Sequence, residues 1–309
     1  MKQLMQLVKF APLLLIISFS LAYGDDSAAE VTPAGLQFKE LKEVSIERED
    51  LSISLESIDV SMTFINNSSH DISTTVAFPI PDYKFDPPEG FAEFNDFSVE
   101  VDGKPIEFKT EAKAIIEGKD YAKILNEMHV PFQDINASLS YLDSMSDSNR
   151  DKLIDIGIID TAYFRNFPSW SVRKKYYWTQ VFPAGKSITV KHRYTPYFGF
   201  NYFGYWKNIS LFKKKTCADK KIMDQIESCS NKSMATVQWV SYILKSALNW
   251  KQPMKVFHLT VCKPQGAMIS TCFRHHLTQI DPETYEATIN NFIPDSDLSL
   301  YFIQLPENE

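Results

Sequence analysis

Aromatic side chains are concentrated in one stretch, and their type and spacing fit a binding surface. Residues 176–206 hold twelve of them, about three times the chain average of 13%. Exposed rings bind well because they combine apolar area with polar edges, and they can stack on sugar faces or fill a partner's pocket. The alternative is core packing, since aromatics favour strands in any β-protein. The predicted ligand-binding platform consists of Tyr197, Tyr202, Tyr205 and Trp206.

Histidines are the next candidates for chemistry. His192 lies in a predicted strand beside Arg193 and Tyr194. We expect a structural, hydrogen-bonded histidine there, because a general base needs a carboxylate or hydroxyl partner that the sequence does not place. His275 and His276 are adjacent, and neighbouring strand side chains point to opposite faces. We therefore expect two solvated or packed histidines rather than one metal site.

Charged clusters have a plain explanation in each case. The acidic residues are Glu47, Glu49 and Asp50 around Arg48, together with Asp25 and Asp26. They could bind calcium, but they lack the spacing of an EF-hand loop, so a solvated charged face is predicted. The one basic patch combines residues 213–215 with Lys220 and Lys221, and it fits either an anionic surface such as a cell-wall polymer or an exposed helix start.

Motifs of the common catalytic scaffolds do not occur in the sequence. There is no G-x-S-x-G elbow, no H-E-x-x-H, no phosphate-binding loop and no dinucleotide fingerprint. The sequence therefore predicts no catalytic residue, no metal and no cofactor. The net charge of −7 would repel phosphate backbones, so nucleic acid is not an expected partner.

Four cysteines lie in the last third of the chain. They are Cys217, Cys229, Cys262 and Cys272. Two disulfides are predicted for an exported protein. Local pairing of Cys217 with Cys229 and of Cys262 with Cys272 competes with crossed pairings, and the sequence does not decide between them. A four-thiolate zinc site is the alternative, although no close C-x2-C pair is present.

The first 24 residues predict a secretory signal peptide. Lys2 and Lys9 precede or flank the apolar run 10–22, and a small-residue pattern ends at Gly24. The mature chain would begin near Asp25. No later run is long and apolar enough to span a bilayer, so we expect an exported protein, periplasmic or extracellular, without an integral membrane segment after cleavage.

Alternating apolar residues predict strands over residues 25–110. Residues 58–64 alternate, a turn cluster follows at 66–70, and the pattern resumes at 72–78, which predicts a hairpin. Asp102-Gly103 predicts a second hairpin with a type I′ turn, with Pro105 on an edge strand. Residues 176–182 and 188–194, separated by a Pro-Ala-Gly-Lys turn, predict a third hairpin.

A helical period replaces this alternation between residues 111 and 160. Three short helices are expected there, and another near residues 218–228. The predicted fold is mostly β, an antiparallel β-sandwich with a helical insertion. We expect an amino-terminal β region at 25–110, the insertion at 111–160 and a carboxyl-terminal β region at 161–309 packed with the first, as one or two domains.

Several motifs resemble an exported bacterial family known only as domain of unknown function 4424. The matching motifs are DSAAE at 26–30, GLQF at 35–38, VAFPIPD at 76–82, VDG at 101–103, YW at 177–178, FPAG at 182–185, HRYTP at 192–196 and YIL at 242–244. The resemblance covers nearly the whole mature chain and implies export without an assigned activity. Residues 76–121 are also remotely similar to the sandwich domain of vault proteins and inter-alpha-trypsin inhibitors, which supports a sandwich alone.

The sequence therefore favours a non-catalytic binding or envelope-associated module. Its expected partner is a protein or an envelope glycan. Two alternatives stay open: a hydrolase acting on cell-envelope polymers, which needs carboxylates or a histidine converging in a cleft, and a structural subunit of an envelope complex, which needs a large apolar patch.

Overall fold

The computed structural model describes residues 25–33, 35–84, 96–161, 167–206, 208–229 and 231–306. The predicted signal peptide, residues 1–24, lies outside the described residues, so its cleavage stays a prediction. Within the described ranges, no helix combines the length and apolar character needed to cross a bilayer.

The amino-terminal strands are β1 (Ser27–Thr32), β2 (Gly35–Phe38), β3 (Leu41–Ile53), β4 (Ile58–Asn66), β5 (Ile72–Pro79), β6 (Tyr83–Lys84), β7 (Ser98–Val101), β8 (Lys104–Pro105), β9 (Lys109–Ile116) and β10 (Lys119–Asp120). The middle of the chain forms α1 (Ala122–Glu127), α2 (Ile135–Ser144), α3 (Asp147–Asp155), β11 (Ile159–Asp160), β12 (Phe167–Pro168), β13 (Ser171–Phe182), β14 (Ser187–Tyr194), β15 (Phe198–Tyr202), α4 (Ile209–Thr216) and α5 (Lys220–Ser228). The last strands are β16 (Thr236–Tyr242), β17 (Trp250–Lys251), β18 (Met254–Cys262), β19 (Met268–Thr271), β20 (Thr278–Gln279), β21 (Thr284–Phe292) and β22 (Leu298–Gln304).

Two large sheets dominate the described part of the chain. A seven-stranded sheet has the order β10-β9-β13-β5-β1-β2, with β6 also paired to β13. A nine-stranded sheet has the order β20-β21-β18-β3-β4-β14-β7-β8, with β17 also paired to β3. A four-stranded sheet has the order β15-β16-β22-β19. Most pairs are antiparallel, but β3 runs parallel to both β17 and β18.

The two large sheets pack face to face around one hydrophobic core. Alternate residues of β4 and β13 are buried, as the period of a half-buried strand requires. Phe64 of the nine-stranded sheet meets Phe182 of the seven-stranded sheet with ring centroids 5.7 Å apart. Burying each such ring contributes on the order of 1.5 to 3 kcal/mol. The predicted mostly-β sandwich is confirmed.

Two of the three predicted hairpins are wrong because the chain changes sheets at their turns. Strand β4 lies in the nine-stranded sheet and β5 in the seven-stranded sheet, and the same holds for β14 and β13. Alternation fixes which face of a strand is buried, but it does not say which strand lies beside it. The two turns meet at one corner of the sandwich, where Gly185 N donates to Asn66 O over 3.0 Å.

The Asp102-Gly103 hairpin is confirmed. These two residues have φ values of 49° and 75°, the positive angles that a type I′ turn requires. The turn joins β7 to β8, and β8 is the last strand of its sheet. Pro105 therefore lies on an edge strand as predicted, where its missing N–H costs no ladder bond.

The helical insertion begins later than predicted. Its first residues form the end of β9 and the short strand β10, and the three helices follow between residues 122 and 155. Trp170 joins this layer to the sandwich, because its indole N–H donates to Phe132 O over 3.0 Å. The helix expected near residues 218–228 is α5, and α4 precedes it.

A second, smaller core lies on the other face of the four-stranded sheet. Strands β16 and β22 supply Val237, Tyr301 and Ile303 to this small core, and α4 and α5 cover it with Phe212 and Ile226. Residues of opposite orientation on the same two strands, including Tyr242 and Phe302, belong to the large core. The four-stranded sheet thus lies between two cores.

Candidate functional site

A polar groove crosses the outer face of the nine-stranded sheet. Strand pairing places its side chains in two parallel rungs, each crossing five strands. The first rung is His258, Asp50, Ser61, Lys191 and Glu100, and the second is Thr260, Ser52, Asp59, Arg193 and Ser98. Since neighbouring strands lie about 4.8 Å apart, each rung spans about 19 Å. The groove has a volume of about 420 Å³, within the range of small-ligand sites.

Strand alternation explains why the rungs face outward. Leu51, Val60 and His192 lie between the rungs along their strands, and all three are buried. Their sequence neighbours must then point away from the core. The alternation predicted over residues 58–64 agrees with the outward side of β4, but the rungs depend on the register of five strands from distant parts of the chain.

Ion pairs organise one end of the groove. Arg48 donates from Nε to Asp50 Oδ2 over 2.7 Å, and His258 Nδ1 lies 3.2 Å from Asp50 Oδ1. Hydrogen bonding from Arg48 lowers the pKa of the Asp50 carboxyl. His258 Nε2 lies 3.6 Å from Glu286 Oε2. Both ring nitrogens of His258 therefore face carboxylates rather than the hydroxyls of the groove.

Away from these ion pairs and from the Arg193–Asp59 pair of the second rung, the groove keeps polar groups for a ligand. Within the described part of the chain, no intramolecular hydrogen bond or ion pair involves the side chains of Ser61, Lys191 or Thr260. A lysine ammonium donates three hydrogen bonds, and a hydroxyl both donates and accepts. The groove can therefore bind a ligand that carries hydroxyl, amide and acidic groups.

A buried acidic cluster lies on the opposite face of the same strands, at the meeting point of three sheets. Asp25, Asp26, Glu49 and His192 are almost completely inaccessible to solvent. His192 Nε2 lies 2.9 Å from Asp26 Oδ2. The Tyr242 hydroxyl lies 3.4 Å from both Asp25 Oδ1 and Glu49 Oε1. The predicted solvated face is therefore wrong for three of its acids, while Arg48 and Asp50 do face solvent.

A β-bulge explains why Glu49 is buried. The pairing of β3 with β4 shifts register between Ile46 and Arg48. Val44 and Ile46 face the core before this shift, whereas Glu49 and Leu51 face it afterwards. An extra residue in one strand changes the face that later residues present. Without the bulge, Arg48 and Asp50 would have faced the core.

Burial shifts the acidity of this cluster. Desolvation, with the charges of Glu49 and Asp26, raises the pKa of the Asp25 carboxyl well above its ordinary value. Desolvation, followed by the charge of Asp26, raises the pKa of Glu49 to about 8. Burial raises the pKa of the Tyr242 hydroxyl as well. His192 has the carboxylate partner that the sequence could not place, deep in the core and away from solvent.

The predicted aromatic platform is divided between the two cores. Tyr197 packs against the large core, stacked on Tyr83 with ring centroids 6.0 Å apart. Trp206 packs against the small core, and Lys215 Nζ lies 5.2 Å from the centroid of its ring. Tyr202 is half-buried and its ring lies 6.4 Å from that of Tyr205. Only Tyr205 among the four is highly exposed, at 62%, and ligand binding by these rings stays a prediction.

The cysteines form one disulfide rather than the two predicted. Cys217, at the end of α4, bonds Cys272, which follows β19, with Cα atoms 5.2 Å apart. Cys229 and Cys262 are free thiols. Cys229 caps α5, which covers the small core, whereas Cys262 ends β18 in the nine-stranded sheet. The bridge excludes a four-thiolate zinc site. Within the described residues, no group of His, Cys, Asp and Glu is arranged to hold a metal ion.

The remaining polar motifs lie at the surface of the carboxyl-terminal part. His275 and His276 are exposed, as expected for solvated histidines. The lysines of residues 213–215 form the last turn of α4, where positive charge interacts favourably with the helix dipole. Lys220 and Lys221 begin α5 and are exposed.

Comparison with known proteins gives a family but no activity. No curated protein matches the sequence. A candidate nutrient binding protein from Legionella pneumophila subsp. pneumophila is similar in structure at 14% identity and a TM-score of 0.42, with 91% of this chain and 70% of that chain covered. An M1 zinc metallopeptidase from Deinococcus radiodurans is 8% identical with a TM-score of 0.32, and the match covers 86% of this chain and 43% of that chain. Yeast LTA4 hydrolase in complex with bestatin is 10% identical with a TM-score of 0.33, and the match covers 88% of this chain and 31% of that chain.

At such scores these likenesses support neither a shared fold nor a shared activity. The chain spans less than half the length of the peptidase and of the hydrolase. The sequence match is of a different kind, because the family described as "Domain of unknown function (DUF4424)" matches residues 24–301, almost the whole described chain. The remote likeness to the vault and inter-alpha-trypsin-inhibitor domain is not confirmed. The protein belongs to the DUF4424 family.

Proposed function

We propose that the protein is an exported, non-catalytic binding module of the cell envelope, and that the polar groove holds a segment of envelope glycan. The observation that carries this proposal is the pair of polar rungs, about 19 Å long, in a groove of about 420 Å³. A site of this length suits an oligomer better than a single sugar. Its hydroxyls and charges of both signs match a ligand rich in hydroxyl, amide and carboxylate groups.

The groove supports binding better than hydrolysis. A hydrolase of the common types needs a paired nucleophile and base, or two carboxyls on either side of the scissile bond with one kept protonated. His258 faces two carboxylates instead of a hydroxyl. Asp50 has a lowered pKa, which suits an ion pair and opposes a role as general acid.

Export is part of the proposal. The predicted leader over residues 1–24 supports it, and so does the Cys217–Cys272 disulfide, since disulfides persist in oxidising compartments. Recovery of the chain from periplasm or medium after fractionation would agree with export. Recovery of the full-length chain from the cytoplasm alone would contradict it.

Binding is tested with one defined probe, a tetrasaccharide of alternating N-acetylglucosamine and N-acetylmuramic acid. We expect saturable binding in calorimetry, and about tenfold weaker binding by the double variant Lys191→Ala, Thr260→Ala. Lys109→Ala is the matched control, because Lys109 is exposed on the other large sheet. Equal affinity of the wild type and the double variant would overturn the groove proposal. Cleavage of the probe would instead favour the hydrolase.

The exposed ring of Tyr205 supports a second binding surface. In the same assay, Tyr205→Ala tests the aromatic platform better than a change at Trp206, which packs against Phe212 with ring centroids 5.1 Å apart. Loss of probe binding by Tyr205→Ala alone would assign the ligand to the platform. The structural-subunit alternative needs a broad apolar patch and is tested by sedimentation of the purified chain with envelope extract.

A further inference from the structure

We propose that cleavage between Gly24 and Asp25 creates a charged amino terminus that the acidic cluster is built to receive. The α-ammonium of Asp25 would be the buried counter-ion of Asp26 and Glu49, so that leader removal completes the core. This inference rests on the proposed export of the protein, because only a processed chain has its amino terminus at this place.

The backbone at Asp25 is fixed in the core. Asp25, Asp26 and Ser27 are completely buried, backbone atoms included. The Trp250 indole N–H donates to Asp26 O, and Asn249 Nδ2 donates to Ser27 Oγ over 2.8 Å. Strand β1 begins at Ser27 and pairs with β5 from that residue onward. A chain continuing on the amino side of Asp25 would have to leave from this buried point.

The cluster lacks positive charge. It holds three carboxyl groups, and His192 is the one potential cation that contacts them in the described part of the chain. Three of their oxygens are buried without a hydrogen-bond partner: Asp25 Oδ2, Asp26 Oδ1 and Glu49 Oε2. Burying a carboxylate without a partner costs several kcal/mol, so native proteins pair such groups. A proton kept by Asp25 or Glu49, whose pKa values are raised, removes part of this cost, and a donor with positive charge would satisfy all three oxygens together.

The α-amino group of Asp25 is already positioned for this role. Covalent geometry holds it about 3 to 4 Å from the carboxyl group of the same residue. The Tyr242 hydroxyl contacts both Asp25 and Glu49, so the two carboxyls lie side by side. An ammonium offers three N–H donors, which equals the number of unpartnered carboxylate oxygens. As a peptide amide, the same nitrogen offers one donor and no charge.

The covalent step is ordinary peptide hydrolysis. Water attacks the carbonyl carbon of Gly24, the C–N bond breaks, and its electron pair stays on the nitrogen of Asp25. Gly24 leaves as the carboxylate end of the leader. The freed amine takes up a proton and becomes the α-ammonium, whose ordinary pKa lies near 8. No oxidant, reductant or second substrate is needed.

The test compares two purified chains that differ by one residue, one beginning at Asp25 and one at Gly24. We expect the chain beginning at Asp25 to have a melting temperature higher by roughly 5 °C, because the extra residue moves the charge out of the cluster. Glu49→Gln is introduced into both chains, and the difference should then shrink. Equal melting temperatures in both pairs would overturn the inference.

A second measurement applies even if the longer chain does not fold. The α-amine of the native chain beginning at Asp25 is labelled with a limiting amount of acetylating reagent, and peptide masses are read against the exposed Lys109 as internal reference. We expect labelling of the α-amine to be at least about tenfold slower than in the urea-unfolded chain. Equal labelling in the two states would contradict the inference.

The mature terminus in cells separates this inference from the proposed function. The full-length chain is expressed with its leader, recovered from the envelope, and sequenced from its amino end. A terminus at Asp25 agrees with the inference, and a terminus at any other residue overturns it while leaving export and the groove intact. Failure of glycan binding would overturn the groove proposal without affecting the comparison of the two chains.

Discussion

At the scale of single residues, Glu49 links the fold to pH. Its folded-state pKa is raised from 4.5 to about 8, mainly by burial. Between these values the folded chain keeps a proton that the unfolded chain has lost. The contribution of Glu49 to the free energy of unfolding is therefore fully present below about pH 4.5 and is lost as the pH rises to about 8. The facing groups are Asp25, Asp26, His192, Tyr194 and Tyr242, and the raised pKa of Asp25 acts in the same direction.

We therefore expect the chain beginning at Gly24 to lose a few kcal/mol of unfolding free energy between pH 5 and pH 8. Glu49→Gln should flatten this slope, since the amide resembles the protonated acid and does not titrate. In the chain beginning at Asp25 the slope should be shallower, because the ammonium favours the carboxylate. Urea unfolding at the two pH values measures the slope for the chain beginning at Gly24, for its Glu49→Gln variant and for the chain beginning at Asp25. The exposed Glu43→Gln is the control. An unchanged slope in Glu49→Gln would contradict this account.

Residue chemistry could be predicted only in part from the sequence. The adjacent histidines are exposed as expected, and His192 is a hydrogen-bonded histidine of the core. The sequence predicts Asp25, Asp26 and Glu49 on a solvated face, because they lack the spacing of a calcium-binding loop and charged runs are usually exposed. The bulge that turns Glu49 inward has no clear signature in the sequence, since one extra residue changes the buried face without changing the composition.

At the scale of elements, Asn66 holds the corner where two strands change sheets. Its side chain donates to His70 O over 2.8 Å and to Phe182 O over 2.9 Å, and it accepts from Ser68 N. His70 O also accepts from Ser68 Oγ, so the loss that matters lies inside the core, where Asn66→Ala would remove the buried donor to Phe182 O. We expect a loss of about 2 to 3 kcal/mol in the free energy of unfolding.

The neighbouring residue provides the matched control for this prediction. Asn67 also donates to backbone carbonyls, including Glu43 O over 3.0 Å, but it is exposed, so water can replace its bonds. Asn67→Ala should cost less than about 1 kcal/mol. Chemical denaturation of both variants measures the difference. Equal losses would show that burial of the corner does not determine its contribution.

The same corner explains which element predictions failed. Strand positions were predicted well, because alternating apolar residues reveal a half-buried strand whatever lies beside it. Pairing was predicted wrongly for β4 with β5 and for β13 with β14, since a short polar turn serves equally for a hairpin and for a change of sheet. The Asp102-Gly103 turn succeeded because its positive φ angles belong specifically to a two-residue hairpin.

At the scale of the whole molecule, composition and patterning were enough for the fold class and too little for the site. The sandwich, the helical layer and the family resemblance followed from the sequence. The groove did not, because its rungs combine five strands whose order along the chain differs from their order in the sheet. Register across such strands is a tertiary property, fixed by the bulge in β3 and by packing on the large core.

The two cores should respond differently to loss of the disulfide. Cys217–Cys272 closes a loop with a sequence separation of 55 and ties α4 to the four-stranded sheet, so its removal should cost about 4 kcal/mol in the chain-entropy model. Trp206 and Trp239 pack against the small core. The other tryptophans, Trp170, Trp178 and Trp250, are buried in the large core. Replacing the tryptophans of one core therefore leaves a fluorescence signal that reports on the unfolding of the other core.

We expect the double variant Cys217→Ser, Cys272→Ser to unfold in two steps in urea, with the small core first. Adding Trp206→Phe and Trp239→Phe removes the reporters of the small core, so the first step should vanish from the fluorescence while the second keeps its midpoint. Cys229→Ser changes a free thiol and should leave the wild-type transition unaltered. A single transition, with the same midpoint whether or not Trp206 and Trp239 are present, would mean that the four-stranded sheet joins both cores into one cooperative unit.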